Sequence, residues 1–277
     1  MQVCFLSSNM KGHTVPYLSV ISIMASIEYK LKLLVSHTDV EKSALERSFF
    51  KSESETNLIS FNDVGIDALD RLARNNRLHE IKIRDYTKEL IKERLDVLTG
   101  SNKSDYRSFE TMVLSAIFEK IKTEYDVNFV NVNGSLDNQF NREIIEKSDM
   151  VVVCINQNLW MLESYFNNDS ELRNLIDSKK HIYVIGNYDK DSKYSLNNIR
   201  RKFRLKKNVY AIPYNIGYFD ALNDSKAIDF VLKNAKCKKH DFNYDFIEST
   251  RGITKAILDS VDIDTKVKSV SGGVAWW

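Results

Sequence analysis

The chain has 277 residues, of which 43% are hydrophobic and 28% charged, an ordinary globular balance with enough length for one sizeable core. A formal net charge of +2 excludes any bulk drive toward DNA or acidic lipid, so such contacts would need a local patch. Two prolines and nine glycines argue against a sandwich of short strands and for long helices joined by economical loops.

In chain order, Val3 to Leu6 is a short apolar run, followed by a polar loop from Ser7 to Thr14. Val15 to Tyr29 has the composition of a helix, with Pro16 suited to its first turn. Leu31 to Val35 is a second strand, and Val40 to Phe50 is expected to be helical with Glu41 and Glu46 on its outer face. Ile66, Leu69 and Leu72 recur at helical spacing, which places Asp67 and Asp70 on a solvated face. A helix is expected near Ile83 to Ile91, a strand at Leu95 to Leu98, and a long helix from Tyr106 to Tyr125. Val127 to Val132, Met150 to Ile155, His181 to Gly186 and Val209 to Ile212 are continuous apolar runs, the pattern of strands buried on both faces. Helical segments separate them in a βαβ rhythm. Phe242 to Val261 supplies a last helix. The predicted fold class is therefore α/β, a mostly parallel central sheet with helices on both faces. Residues 1–262 are expected to form one domain, and 263–277 a small-residue tail ending in Trp276-Trp277.

Cys4, Cys154 and Cys237 show no C-x-x-C spacing, and the first two sit in apolar runs where a thiol acts as a small hydrophobe. The five histidines are scattered without metal-ligand spacing, so no structural metal is expected. No apolar run reaches the roughly 20 residues that span a bilayer, and no signal core follows Met1, so the expected location is the cytoplasm.

A strand, loop and helix at the amino terminus is where nucleotide-binding α/β proteins hold phosphates, because the helix start presents free N–H groups and a positive dipole end. A working loop needs glycines for close approach, a lysine for the β- and γ-phosphates and Ser/Thr for Mg²⁺. Here the loop is Ser7-Ser8-Asn9-Met10-Lys11-Gly12-His13-Thr14-Val15-Pro16-Tyr17. It resembles the deviant Walker A loop, K-G-G-x-G-K-[ST], of the MinD/ParA-like P-loop ATPases. One register sets Lys11-Gly12 on the opening K-G and keeps the signature lysine; this register is preferred for its distance from the strand. It leaves Pro16 and Tyr17 where the second lysine and the hydroxyl belong. The other sets Gly12-His13-Thr14 on G-K-T, keeping the hydroxyl and losing both lysines.

Further matches follow in order. Leu45-Glu46 resembles the family's N-L-[DE] element. Tyr125 to Gly134 is similar to the Walker B stretch, with Asn131 in place of its Asp. Ser148 to Val153 is similar to A-D-x-V-V-V. Ile185-Gly186-Asn187-Tyr188 and Ala211-Ile212-Pro213-Tyr214 resemble the segments that hold adenine. Gly65 to Leu69 and Arg94 to Gly100 resemble the TadZ/CpaE-like branch, which helps localise Flp/Tad pili.

The resemblance implies a nucleotide site of Lys11, Gly12, His13, Thr14, Asn187 and Pro213, with ATP or ADP and Mg²⁺ as cofactors if any are bound. Lys11 and Asp39 are the residues on which catalysis would depend. It implies a homodimer, protein partners in an envelope machine such as a Tad-type pilus or secretion system, and recruitment to the inner membrane face or cell pole. Loss of the second lysine, the hydroxyl and the Walker B carboxylate points to a pseudo-ATPase acting as a localisation or assembly scaffold. Two alternatives stay open: a slow ATPase using His13, Thr14 and backbone amides, and a ParA-like partition protein contacting DNA through the basic run Arg200 to Lys207. The tail from Val274 to Trp277 is expected to dock on a partner or on the chain's own core.

Overall fold

The computed structural model describes residues 1–8, 14–39, 44–51, 64–101, 110–133, 136–205 and 208–265. Eight strands, β1 (Gln2–Ser7), β2 (Leu33–His37), β3 (Lys88–Ile91), β4 (Leu95–Val97), β5 (Val127–Val132), β6 (Met150–Asn156), β7 (His181–Tyr188) and β8 (Val209–Pro213), form one sheet. Its order is β3-β4-β2-β5-β1-β6-β7-β8. Every neighbouring pair is parallel except β3 with β4. The apolar runs of β1, β2, β5 and β6 are buried along almost their whole length, as strands covered on both faces must be. Strand β1 lies at the centre between β5 and β6, so the chain departs from it in both directions and leaves a crevice at the carboxyl ends of these strands.

The helices among the described residues are α1 (Val15–Glu28), α2 (Ala44–Arg47), α3 (Gly65–Arg74), α4 (Thr111–Glu124), α5 (Gln139–Lys147), α6 (Leu159–Phe166), α7 (Glu171–Asp177), α8 (Leu196–Lys202), α9 (Ile216–Asn223), α10 (Ala227–Asn234) and α11 (Tyr244–Ser260). One apolar cluster joins α1, α10 and α11 to the face of the sheet carrying Val3, Phe5, Val35 and Phe129. The second joins α3 to α8 to the opposite face, with Cys4, Leu6, Leu34 and Val130. The alternation of a single strand between the two clusters follows from its period of two.

Helix α1 is apolar around most of its circumference because it is buried on all sides, between the sheet and the layer of α10 and α11. Its serines are satisfied internally: Ser19 Oγ donates to the Val15 carbonyl at 2.7 Å, Ser22 Oγ to Ser19 at 2.9 Å and Ser26 Oγ to Ile23 at 2.8 Å. Cys4 and Cys154 are buried thiols whose pKa is pushed up by burial, consistent with core packing.

Three sequence expectations are corrected. The segment expected as a helix from Ile83 to Ile91 is a short 3-10 turn, Ile83–Tyr86, followed by β3, the antiparallel edge strand. Glu46 is not on an outer face: it is 3% exposed and bonded to His37 and to the Gly100 N–H. Asp70 is 2% exposed, and Arg74 Nε donates to both of its carboxylate oxygens at 3.0 and 3.1 Å. A paired carboxylate can be buried: Glu46 is held by His37 and Gly100 from other elements, and Asp70 by Arg74 four residues on in the same helix. The expected tail contact of Trp276-Trp277 lies outside the described residues.

Ile21, fully buried in α1, tests this packing. Ile21→Ala is expected to lower unfolding free energy by about 2–5 kcal/mol in a urea titration, because the surrounding layers cannot collapse into the cavity. A loss below about 1 kcal/mol would mean α1 is not enclosed.

Candidate functional site

The crevice is built from the last residues of β1, β2, β5, β6 and β7 and from the start of α1. Of the expected site residues, Lys11, Gly12 and His13 lie outside the described residues. Thr14 precedes α1 and is buried. Its hydroxyl does not cap the helix, the usual role of a threonine in this place. Instead Thr14 Oγ1 donates to Asn131 Oδ1 on β5, a buried contact between two neutral groups. Asn131 is paired in register with Phe5 on one side and His37 on the other.

A second set of contacts ties the ends of β2 and β5 together. Thr38 N–H donates to the Asn131 carbonyl at 2.9 Å, and Asn133 N–H donates to Thr38 Oγ1 at 3.3 Å. Asp39, the nearest carboxylate in the loop after β2, accepts a long 3.5 Å bond from Asn133 Nδ2. His37 Nε2 lies 3.0 Å from Glu46 Oε1, and that oxygen also accepts the Gly100 N–H at 2.6 Å. His37 is thus committed to a buried pair that joins β2, α2 and the loop after β4.

Tyr17 occupies the other side of the crevice. Its ring runs from the first turn of α1 across the end of β6, where Oη donates to Asn156 Oδ1 at 3.1 Å. Burial holds that hydroxyl well above the ordinary tyrosine range, so it remains a neutral donor. The ring fits only because residue 186 is glycine: a Cβ there would lie 1.9 Å from Tyr17 Oη and 2.0 Å from Cζ. Asn187 follows in the left-handed region, with φ of 48°, where asparagine is tolerated.

Asn187 precedes Tyr188 at the end of β7, beside Pro213 at the end of β8. Tyr188 pairs in register with Pro213, and Tyr214 N–H donates to the Tyr188 carbonyl at 3.1 Å. Tyr214 is exposed beside them, stacked on Phe219 with ring centroids 5.2 Å apart. Thr14 stands apart, at the β5 side, with Tyr17 spanning the distance to Asn187.

These residues can be tested for fit to Mg²⁺. A P-loop site holds the ion between the loop Ser/Thr and a Walker B Asp. Here the hydroxyl's proton is given to a neutral amide oxygen, which supplies no charge for a hydrated dication. Among the described residues no three His, Cys, Asp or Glu side chains gather as metal ligands. The described part of the site does not fit Mg²⁺. The basic run from Arg200 is also reduced as a patch: Arg200 braces β8 by donating to the Val209 carbonyl, and Lys202 pairs with Glu163 at 3.0 Å.

Sequence reasoning missed Tyr17, Asn156 and the His37–Glu46 pair. The signal for Tyr17 was present, since Gly186 interrupts the apolar run of β7 and marks close approach by another group. Nothing in local spacing pairs His37 with Glu46.

No family model matches the chain, and no curated protein is similar to it. Solved structures are. A ParA family ATPase from Chlorobium tepidum is 13% identical with a TM-score of 0.68, covering 92% of this chain and 97% of that one. The septum site-determining protein MinD of Pyrococcus horikoshii, complexed with Mg-ADP, is 10% identical with a TM-score of 0.60, covering 92% and 95%. A plasmid partition protein of Borrelia burgdorferi bound to AMPPNP is 15% identical with a TM-score of 0.63, covering 93% and 98%. At these identities the likeness establishes the fold: this chain has the architecture of the ParA and MinD ATPases.

Two substitutions test the Tyr17 geometry. Gly186→Ala is expected to cost about 1–3 kcal/mol in denaturant titration, since the ring must leave its place. Tyr17→Phe, which removes only the hydroxyl, is expected to cost about 1 kcal/mol. In the double variant Gly186→Ala with Tyr17→Ala, the alanine penalty should shrink; strictly additive losses would separate the two residues.

Proposed function

We propose that this chain is a pseudo-ATPase of the ParA/MinD kind, a localisation or assembly scaffold for a cell-envelope machine such as a Tad-type pilus or secretion system. The observation that carries the reading is the Thr14–Asn131 hydrogen bond. It sets two neutral groups face to face where phosphoryl transfer needs positioned charge. Support comes from the neighbouring strand end, where His37 is tied to Glu46. Tyr17 adds to it by laying an aromatic ring across the crevice toward Gly186.

The same contact supports the register that sets Gly12-His13-Thr14 on G-K-T. The loop hydroxyl and the Walker B residue share one ion in P-loop proteins and are therefore neighbours. Thr14 and Asn131 are neighbours here, whereas Tyr17 turns away toward Asn156. In this register Lys11 leaves the signature position, which removes the lysine on which the homodimer expectation rested. Any nucleotide contact would then fall to His13, backbone amides of the loop, and Asn187 with Pro213.

Calorimetric titration of the full chain with ATP and with ADP, each with and without Mg²⁺, tests the reading. The expected outcome is no gain in affinity from Mg²⁺ and no phosphate release above buffer. A tenfold or greater gain from Mg²⁺, with turnover, would make the chain a working ATPase. The scaffold half is read by fluorescence microscopy of a tagged chain in its native cell. Foci at the envelope that persist in Thr14→Ala are expected; a uniform signal would contradict it.

A further inference from the structure

A groove of about 360 Å³ lies beside the crevice, between α6 and α8. That volume falls within the range of pockets that accept side chains or small ligands. Leu159 and Leu162 of α6 form one side, and Ile199 with Phe203 the other. Phe203 is backed by Phe166, with ring centroids 5.0 Å apart, so the floor is a continuation of the core. The rim is basic. Lys193, Arg201 and Lys202 are exposed around the opening, and the only acid bonded to them among the described residues is Glu163, 3.0 Å from Lys202. Trp160, one residue from the floor at Leu159, is 75% exposed on α6.

The groove is held open by a rigid frame. Gln157, immediately after β6, donates from Nε2 to the carbonyls of Asp189 and Tyr194 at 3.0 and 2.9 Å. Its Oε1 accepts the Asp189 N–H at 2.8 Å. One side chain thus pins both ends of the loop that carries Lys193 and Tyr194. Asn198 Nδ2 adds a bond to the Lys193 carbonyl at 2.7 Å.

We infer that this groove docks a short acidic peptide segment of a partner protein, an apolar side chain entering between Leu159 and Phe203 while its carboxylates meet Lys193, Arg201 and Lys202. Charge complementarity selects the occupant. A concave apolar floor suits a side chain and offers nothing to a phosphate backbone. The inference does not depend on whether the crevice takes nucleotide.

The test is to pan a random twelve-residue peptide phage library on the full chain and measure the enriched peptides, fluorescein-labelled, by anisotropy. The expected consensus is acidic residues flanking Leu, Phe or Trp. Affinity should fall at least tenfold in Arg201→Glu/Lys202→Glu, with unchanged circular dichroism. Exchanging the peptide's acids for lysines should restore binding to the charge-reversed variant. Enriched peptides without acidic bias, or binding indifferent to the charge reversal, would overturn the inference. So would a patch that binds duplex DNA or anionic phosphatidylserine vesicles, loses that binding in the same variant, and takes no peptide.

Discussion

At the start of α1 the hydroxyl of Thr14 donates to the side-chain oxygen of Asn131, joined by Tyr17 on Asn156 and Tyr218 on the Pro16 carbonyl. Helix α1 is buried on every side, so its position sets the spacing between the central strands and the layer of α10 and α11. A helix in that situation must satisfy its first turn without water. Here the threonine side chain is drawn away from the helix amides toward β5, and Pro16 removes one N–H from the turn altogether. In a nucleotide-hydrolysing P-loop protein the loop hydroxyl and the Walker B carboxylate hold a charged ion between them. In this chain the pair closes on itself.

That closure has consequences along the whole crevice. The end of β2 has no carboxylate in the sheet: His37 is engaged with Glu46, and Asp39 sits two residues further on. Tyr17 is accommodated by Gly186 and bonded to Asn156. Beside the crevice lies an apolar groove with a basic rim. Fold alone does not determine activity.

Much of the sheet was legible in the sequence. The strand Val127–Val132 was predicted to the residue, and the other long apolar strands to within two residues at each end. Burial on both faces writes itself as continuous hydrophobicity. The edge was less legible, because β3, Lys88–Ile91, is short, partly polar and flanked by charges, a composition that suits an edge strand and also an exposed helix. Asn131, Asn187 and Pro213 were singled out through an ordered resemblance, and the first two lie near strand ends. The burial of Glu46 was invisible, since its partners His37 and Gly100 are set by tertiary packing, whereas the Asp70–Arg74 pair is an i,i+4 spacing present in the sequence. Tyr17 was legible as an oddity only; its destination depended on Gly186, 169 positions later in the chain by the numbering.

The central claim is that Thr14 and Asn131 no longer hold a divalent ion. Electron paramagnetic resonance of Mn²⁺ titrated with the full chain in the presence of ATP tests it most directly, because protein-bound Mn²⁺ loses the sharp signal of the Mn²⁺–nucleotide solution. The account predicts a spectrum indifferent to added protein for the natural chain. A stoichiometric change in the Mn²⁺ signal that is abolished by Thr14→Ala would contradict it and return the site to the metal-dependent ATPases.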